Sequence, residues 1–112
     1  MGGAAYEHRV ARSAKRTEYN GRMYASRAEA KYANTLDLLV SLGAVTAWTP
    51  QVRIHCHVNG NKICDYVADF HVQMADGTEE YIDVKGRSKP TAMFNIKQKL
   101  VRACTGIEVI VK

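Results

Sequence analysis

The sequence predicts a single mixed α/β (α+β) domain, in the order α-β-β-β-α-β, with a central mixed sheet flanked by helices. Two stretches with helical spacing, 26–42 and 91–104, are bounded by capping residues. Between them lie three strand-like stretches separated by the turn signals Asn59-Gly60 and Asp76-Gly77. A β-branched run, 107–111, closes the chain. With 112 residues there is room for one ordinary core and not for two.

Residues 1–22 are polar and basic, with Arg9, Arg12, Lys15, Arg16 and Arg22 against Glu7 and Glu18. No period organises them, so they read as a flexible basic arm, with at most a short helix around 6–17, ahead of a domain spanning 23–112. Such an arm suits a phosphate backbone as well as it suits a solubilising terminus. Ser26 is a good N-cap and Glu29, three residues on, completes a capping-box pattern. Gly43 stands where a C-terminal glycine belongs, and Tyr32, Ala33, Leu36, Leu39, Val40 and Leu42 supply the apolar face. The first strand runs over 45–58 with an interruption at Pro50, the second over 63–74 and the third over 78–85, as an antiparallel meander. Met93, Ile96 and Leu100, with Val101 and Cys104, make the buried stripe of the second helix, and the final strand is expected inside the sheet.

Composition excludes several classes. No apolar run approaches the ~20 residues that cross a bilayer, and the N-terminus lacks a signal-peptide core. The three cysteines, Cys56, Cys64 and Cys104, show no CxxC spacing and no disulfide framework. A soluble, cytoplasmic chain is therefore expected. The formal charge of +5 tilts the choice of partner toward polyanions such as nucleic acid.

The chemistry concentrates on Asp83-Val84-Lys85. Alternation along a strand puts Asp83 and Lys85 on one face, with Ile82 and Val84 turned to the core. A carboxylate there can ligate an ion, while the ammonium orients an attacking water and offsets developing negative charge. Asp69 interrupts the apolar stretch Tyr66-Val67-Ala68-Asp69-Phe70, where an acid needs a metal, a base or water. Asp65 has the same parity and is an alternative ligand. Glu29 shares a helix stripe with Ala33, Leu36 and Val40, so it is either a cap or a third acid above the sheet. Three carboxylates without paired histidines suit a hard cation, Mg²⁺ or Mn²⁺, and hydrolysis of a phosphodiester. His55, Cys56, His57 and Cys64 match no zinc spacing. Lys97 is placed toward the sheet edge, and Arg87 and Lys89 lie in a loop that can meet phosphate.

The ordered set of Glu29 on the first helix, Asp69 before Phe70, and Asp83-Val84-Lys85-Gly86 resembles the PD-(D/E)XK nuclease superfamily. More narrowly, Tyr24-x-Ser26-x-x-Glu29, Leu39 to Gly43, Trp48, Gln51 and a lysine-rich second helix resemble small phage-encoded nucleases. The resemblance covers about residues 24–112. It implies a restriction-endonuclease-like core and Mg²⁺-dependent cleavage of DNA. Asp69, Asp83 and the Val84 carbonyl would be metal ligands, Glu29 would act at a second metal or its water, and Lys85 would position the nucleophile. Related Holliday-junction resolvases act as dimers, which implies a homodimer acting on branched DNA. The alternatives are an inactive nuclease-fold DNA-binding module and an RNA nuclease. Two departures stand: Asp83 replaces the commoner Glu, and Ala68 precedes Asp69 where a proline is common.

Overall fold

The computed structural model describes residues 15–85 and 91–112. Arg9 and Arg12 of the expected arm, and Arg87 and Lys89 of the expected loop, lie outside the described residues. The elements run β1 (Thr17–Tyr19), β2 (Arg22–Tyr24), α1 (Arg27–Ser41), β3 (Val45–Val58), β4 (Asn61–Met74), β5 (Glu79–Asp83), α2 (Ala92–Thr105) and β6 (Val109–Val111).

β1 and β2 form an antiparallel hairpin in the stretch that the sequence left unorganised. Asn20 (φ 52°) and Gly21 (φ 85°) turn it, both left-handed as a type I′ turn requires. Thr17 is accordingly strand rather than the end of a helix. The hairpin is pinned to α1 by the Tyr19 hydroxyl, which donates to Asp37 at 2.5 Å. Asp37 also accepts from the Trp48 indole at 3.0 Å, so one half-buried acid joins hairpin, helix and sheet.

α1 begins where expected: the Ser26 hydroxyl accepts from the Glu29 N–H at 3.2 Å. It ends in a Schellman motif, with Gly43 N–H on the Val40 carbonyl and Ala44 N–H on Leu39. Its inner face is Glu29, Ala30, Ala33 and Leu36, with Tyr32 and Leu39 alongside. Val40 and Leu42, expected inside, are exposed. Leu42 is already the cap, past the last turn that reaches the sheet.

The main sheet has the order β3-β4-β5-β6, with β6 parallel to β5 and the others antiparallel. β3 is continuous through Pro50, because an edge strand spares the N–H that proline lacks. β6, expected inside the sheet, is the opposite edge, and Val111 is exposed. β5 pairs only with Phe70 to Gln73 of β4, so the outer half of the β3–β4 hairpin continues beyond it as a two-stranded ribbon.

Two cores result. Phe70, Val72, Ile82 and Ile110 pack with α1, Tyr24 and Val45, and the Phe70 ring is surrounded by Tyr24, Tyr32 and Trp48. Tyr81 and Val109, the neighbours of Ile82 and Ile110, face the other way and pack with Ile54, Cys56, Tyr66, Ala68 and α2. On β5 and β6 adjacent residues point to opposite faces, so α1 and α2 lie on opposite sides of that part of the sheet. Along β4 the change from one core to the other comes between Ala68 and Phe70, at Asp69. α2 is capped by Thr91 and by left-handed Gly106. Its buried stripe is Phe94, Val101 and Cys104. Met93 and Ile96, expected in that stripe, are 62% and 53% exposed.

Candidate active site

β4 and β5 stop pairing at Phe70↔Ile82. One step further along the same register, Asp69 and Asp83 fall opposite each other. Like charges so placed repel, and the ladder is replaced here by a different set of bonds. The Asp69 N–H donates to Asp83 Oδ1 at 3.0 Å, and the Val84 N–H donates to Asp69 Oδ2 at 2.8 Å. Each carboxylate thus occupies a backbone donor that the parted strands release.

Asp83 is 3% exposed. Its second oxygen accepts from the Tyr66 hydroxyl, which lies on the ribbon three residues beyond Asp69. Burial, then the bond to Asp83, holds the Tyr66 phenol well above its ordinary range, so it stays a donor. Asp83 also remains part of the β5–β6 ladder, its carbonyl accepting from the Lys112 N–H at 2.9 Å. Oδ1 of Asp69 and the carbonyl of Val84 accept no hydrogen bond from a described residue.

Glu29 enters from the first turn of α1. It is 8% exposed, on the stripe that Ala33 and Leu36 continue into the core. The Gln51 amide donates to its Oε1 at 3.5 Å. Gln51 stands opposite Asp69 on the other side of β4, at a φ of 55° where the β3–β4 register carries no pair. Burial, then the Asp69 and Asp83 carboxylates, pushes the Glu29 carboxyl up to about 7, against the downward pull of Lys85 and Ser26. Burial likewise raises the Asp69 carboxyl, the Val84 N–H opposes it, and Asp83 adds to it. Lys85 follows on from β5 with its ammonium 3.9 Å from the centre of the Phe94 ring, in the first turn of α2. Glu29, Asp69, Asp83 and Lys85 therefore meet at one end of β5, between the first turns of both helices.

The other expected residues divide. Asp65, the alternative ligand, is on the outer ribbon, held by Arg53 at 3.1 Å, His55 at 2.7 Å and Lys62 at 2.9 Å. Those partners, Lys62 foremost, keep its carboxyl well below the usual range, and it takes no part in the cluster. Lys97 is half-buried one turn after Phe94, on the stripe that faces the sheet, whereas Lys99 is exposed. Lys15, Arg16 and Arg22 are exposed around the first hairpin, the Arg22 guanidinium lying 5.9 Å from the Tyr24 ring centre. Tyr66 and Phe94 were missed as site residues. A buried tyrosine needs a partner for its hydroxyl, but finding Asp83 as that partner requires the β4–β5 register.

The donor set is all oxygen, which fits a hard divalent cation. Among the described residues no three His, Cys, Asp or Glu side chains stand close enough to enclose an ion by themselves. Mg²⁺ does not require that: it is commonly held by one or two carboxylates, its own waters and substrate phosphate. Asp69, with its open oxygen, and the open carbonyl of Val84 fit such partial ligation. Asp83 already serves two protein donors and has only its remaining lone pairs to offer, and the Glu29 carboxylate lies near enough to Asp69 and Asp83 for their charges to raise its pKa. Among the described residues no helix is long and apolar enough to cross a membrane.

No curated protein and no solved structure matches the chain. A family model covers residues 9–105, from the basic segment through Glu29, Asp69, Asp83 and Lys85 to the end of α2. The chain therefore belongs to the DUF1064 family, described as proteins of unknown function.

Proposed function

We propose that this protein is a metal-dependent endonuclease that hydrolyses DNA phosphodiester bonds. The observation that carries the proposal is the gathering of three carboxylates, Glu29, Asp69 and Asp83, with the Lys85 ammonium at the parting of β4 and β5. Carboxylates gathered in a half-buried setting are costly when ionised unless a proton or a cation joins them. The four groups also correspond to the acidic and lysine positions of the PD-(D/E)XK pattern that the sequence resembles, with Ala68 in place of its proline.

A divalent cation, Mg²⁺ or Mn²⁺, bound there would supply Lewis acidity and lower the pKa of water. Asp69 and the Val84 carbonyl would hold it, with Asp83 fixing Asp69 through its backbone. Glu29, with its carboxyl raised toward neutrality, is suited to accept and return a proton at the water shell. Lys85, steadied against the Phe94 ring, would hold the attacking water and offset charge developing on the phosphate. The exposed Lys15, Arg16 and Arg22, together with Lys97 on α2, would contact the nucleic-acid backbone. A homodimer acting on branched DNA, of the kind found in phage recombination, is the form we favour, since paired sites are needed to cut a junction symmetrically.

Incubation with a labelled four-way junction and a matched linear duplex, in Mg²⁺, Mn²⁺ or EDTA, tests the proposal. Metal-dependent cutting is expected, with preference for the junction. Asp83→Asn is expected to reduce it by roughly 100-fold or more, the order seen for loss of one catalytic electrostatic group, with binding retained in a gel-shift assay. Binding of DNA without cutting under any metal would replace the enzyme by a binding module. Cleavage of RNA alone would change the substrate.

A further inference from the structure

The second core holds a feature that the candidate active site does not use. All the cysteines of the chain, Cys56, Cys64 and Cys104, converge there. Cys56 and Cys64 are direct partners in the antiparallel β3–β4 register, and Cys104 approaches from the last turn of α2. All are free thiols. Directly opposed residues of an antiparallel pair have Cα atoms about 4.5 or 5.5 Å apart, and both spacings lie inside the range of about 4.4–6.8 Å that a disulfide spans.

We propose that Cys56 and Cys64 form a modification site, converted by a low-molecular-weight disulfide of the glutathione class into a cross-strand disulfide that staples the β3–β4 ribbon. Cys64 is half-buried and meets the reagent first, while Cys56 is fully buried behind it. Burial, with Cys64 and then Cys104 nearby, pushes the Cys56 thiol up to about 11, so it waits protonated. In the first step the Cys64 thiolate attacks the reagent disulfide, forming a mixed disulfide and releasing one reagent thiolate. In the second the Cys56 sulfur attacks the Cys64 sulfur, the mixed bond breaks, and the Cys56 proton leaves with the second reagent thiolate. Two protein thiols are oxidised and one reagent disulfide is reduced to two thiols.

The staple falls where it has most to constrain. Beyond Phe70 the two strands have only each other as ladder partners, and the register slips between Cys56 and His57. Cys64 is also two residues from Tyr66, whose hydroxyl holds Asp83. None of this depends on the nuclease proposal.

Reduced protein is treated with excess oxidised glutathione, denatured, alkylated with iodoacetamide and mapped by peptide mass spectrometry. The expected result is a single alkylated cysteine, Cys104, and one cross-linked species joining the Cys56 and Cys64 peptides. Cys104→Ser is expected to give the same cross-link, with no alkylated cysteine remaining. Alkylation of all the cysteines, arrest at a glutathione adduct on Cys64, or a bond that includes Cys104 would each overturn the proposal. The wild-type map decides this even if the variant fails to fold.

Discussion

Tyr66 shows how much one hydroxyl carries. Asp83 sits 3% exposed beside a second carboxylate, and what satisfies its buried oxygens is a pair of donors, the Asp69 N–H and the Tyr66 hydroxyl. Tyr66→Phe keeps the ring packed near Phe94 and removes only the hydroxyl. One buried carboxylate oxygen then loses its partner, at a cost of about 1–3 kcal/mol. Urea unfolding of the metal-free variant should show that loss, and stability equal to wild type would remove the bond from the account of the site. Gln51 is a contrasting residue: its left-handed backbone places an amide on Glu29, and no propensity of glutamine announces that conformation.

Among the elements, α2 separates what pattern reveals from what it hides. Its start, length and glycine cap were legible, because capping residues report local backbone chemistry. Its rotation was not. Val101 and Cys104 were expected inside and are, but Met93 and Ile96 fit a stripe by spacing as well as Phe94 does, and only contact with Ile54, Tyr66 and Ala68 puts Phe94 inside and leaves the other two out. Val101→Ala is accordingly expected to cost about 2 kcal/mol, by the loss of buried methyl groups and the cavity left behind, whereas Ile96→Ser should stay within about 0.5 kcal/mol. Thermal or urea melts of both variants check the assignment, and the reverse ranking would mean a rotated helix. The hairpin β1–β2 was missed for another reason. Asn20-Gly21 is as strong a turn signal as Asn59-Gly60, but its strands are three residues each and too polar to show alternation. Glu29, Asp69, Asp83 and Lys85 were legible as a set because strand parity and helix spacing put each on the required side. The bonds that lock Asp69 to Asp83 were not, since they exist only because the β4–β5 ladder stops one residue short of them.

At the scale of the whole molecule the acids couple stability to pH. The Glu29 carboxyl moves from an ordinary 4.5 to about 7 on folding. The folded state therefore binds this proton more tightly than the unfolded chain, so its contribution to stability is present below about 4.5 and is lost as pH rises to about 7. Linkage makes the difference across that window up to about 3 kcal/mol, and the upward shift of Asp69 has the same sign. Metal-free protein should be more stable to urea at pH 5 than at pH 8 in this respect, and Glu29→Gln should flatten the dependence. An unchanged slope in that variant would exclude Glu29 as its source. A bound divalent cation should flatten it too, by replacing the proton as the compensating charge.

The row of opposed acids also bears on selection. A chain free of any demand at this point would shed the repulsion with one neutral substitution, and the fold would be steadier for it. Instead Phe70 and Ile82, both fully buried immediately beside Asp69 and Asp83, hold together two strands whose next residues push apart. Tolerance to mutation should therefore be uneven across the sheet. Substitutions that weaken the packing around Phe70 should be borne more easily in a background where one of the acids is neutral, which makes the acids a conditional burden on every residue of the core that surrounds them.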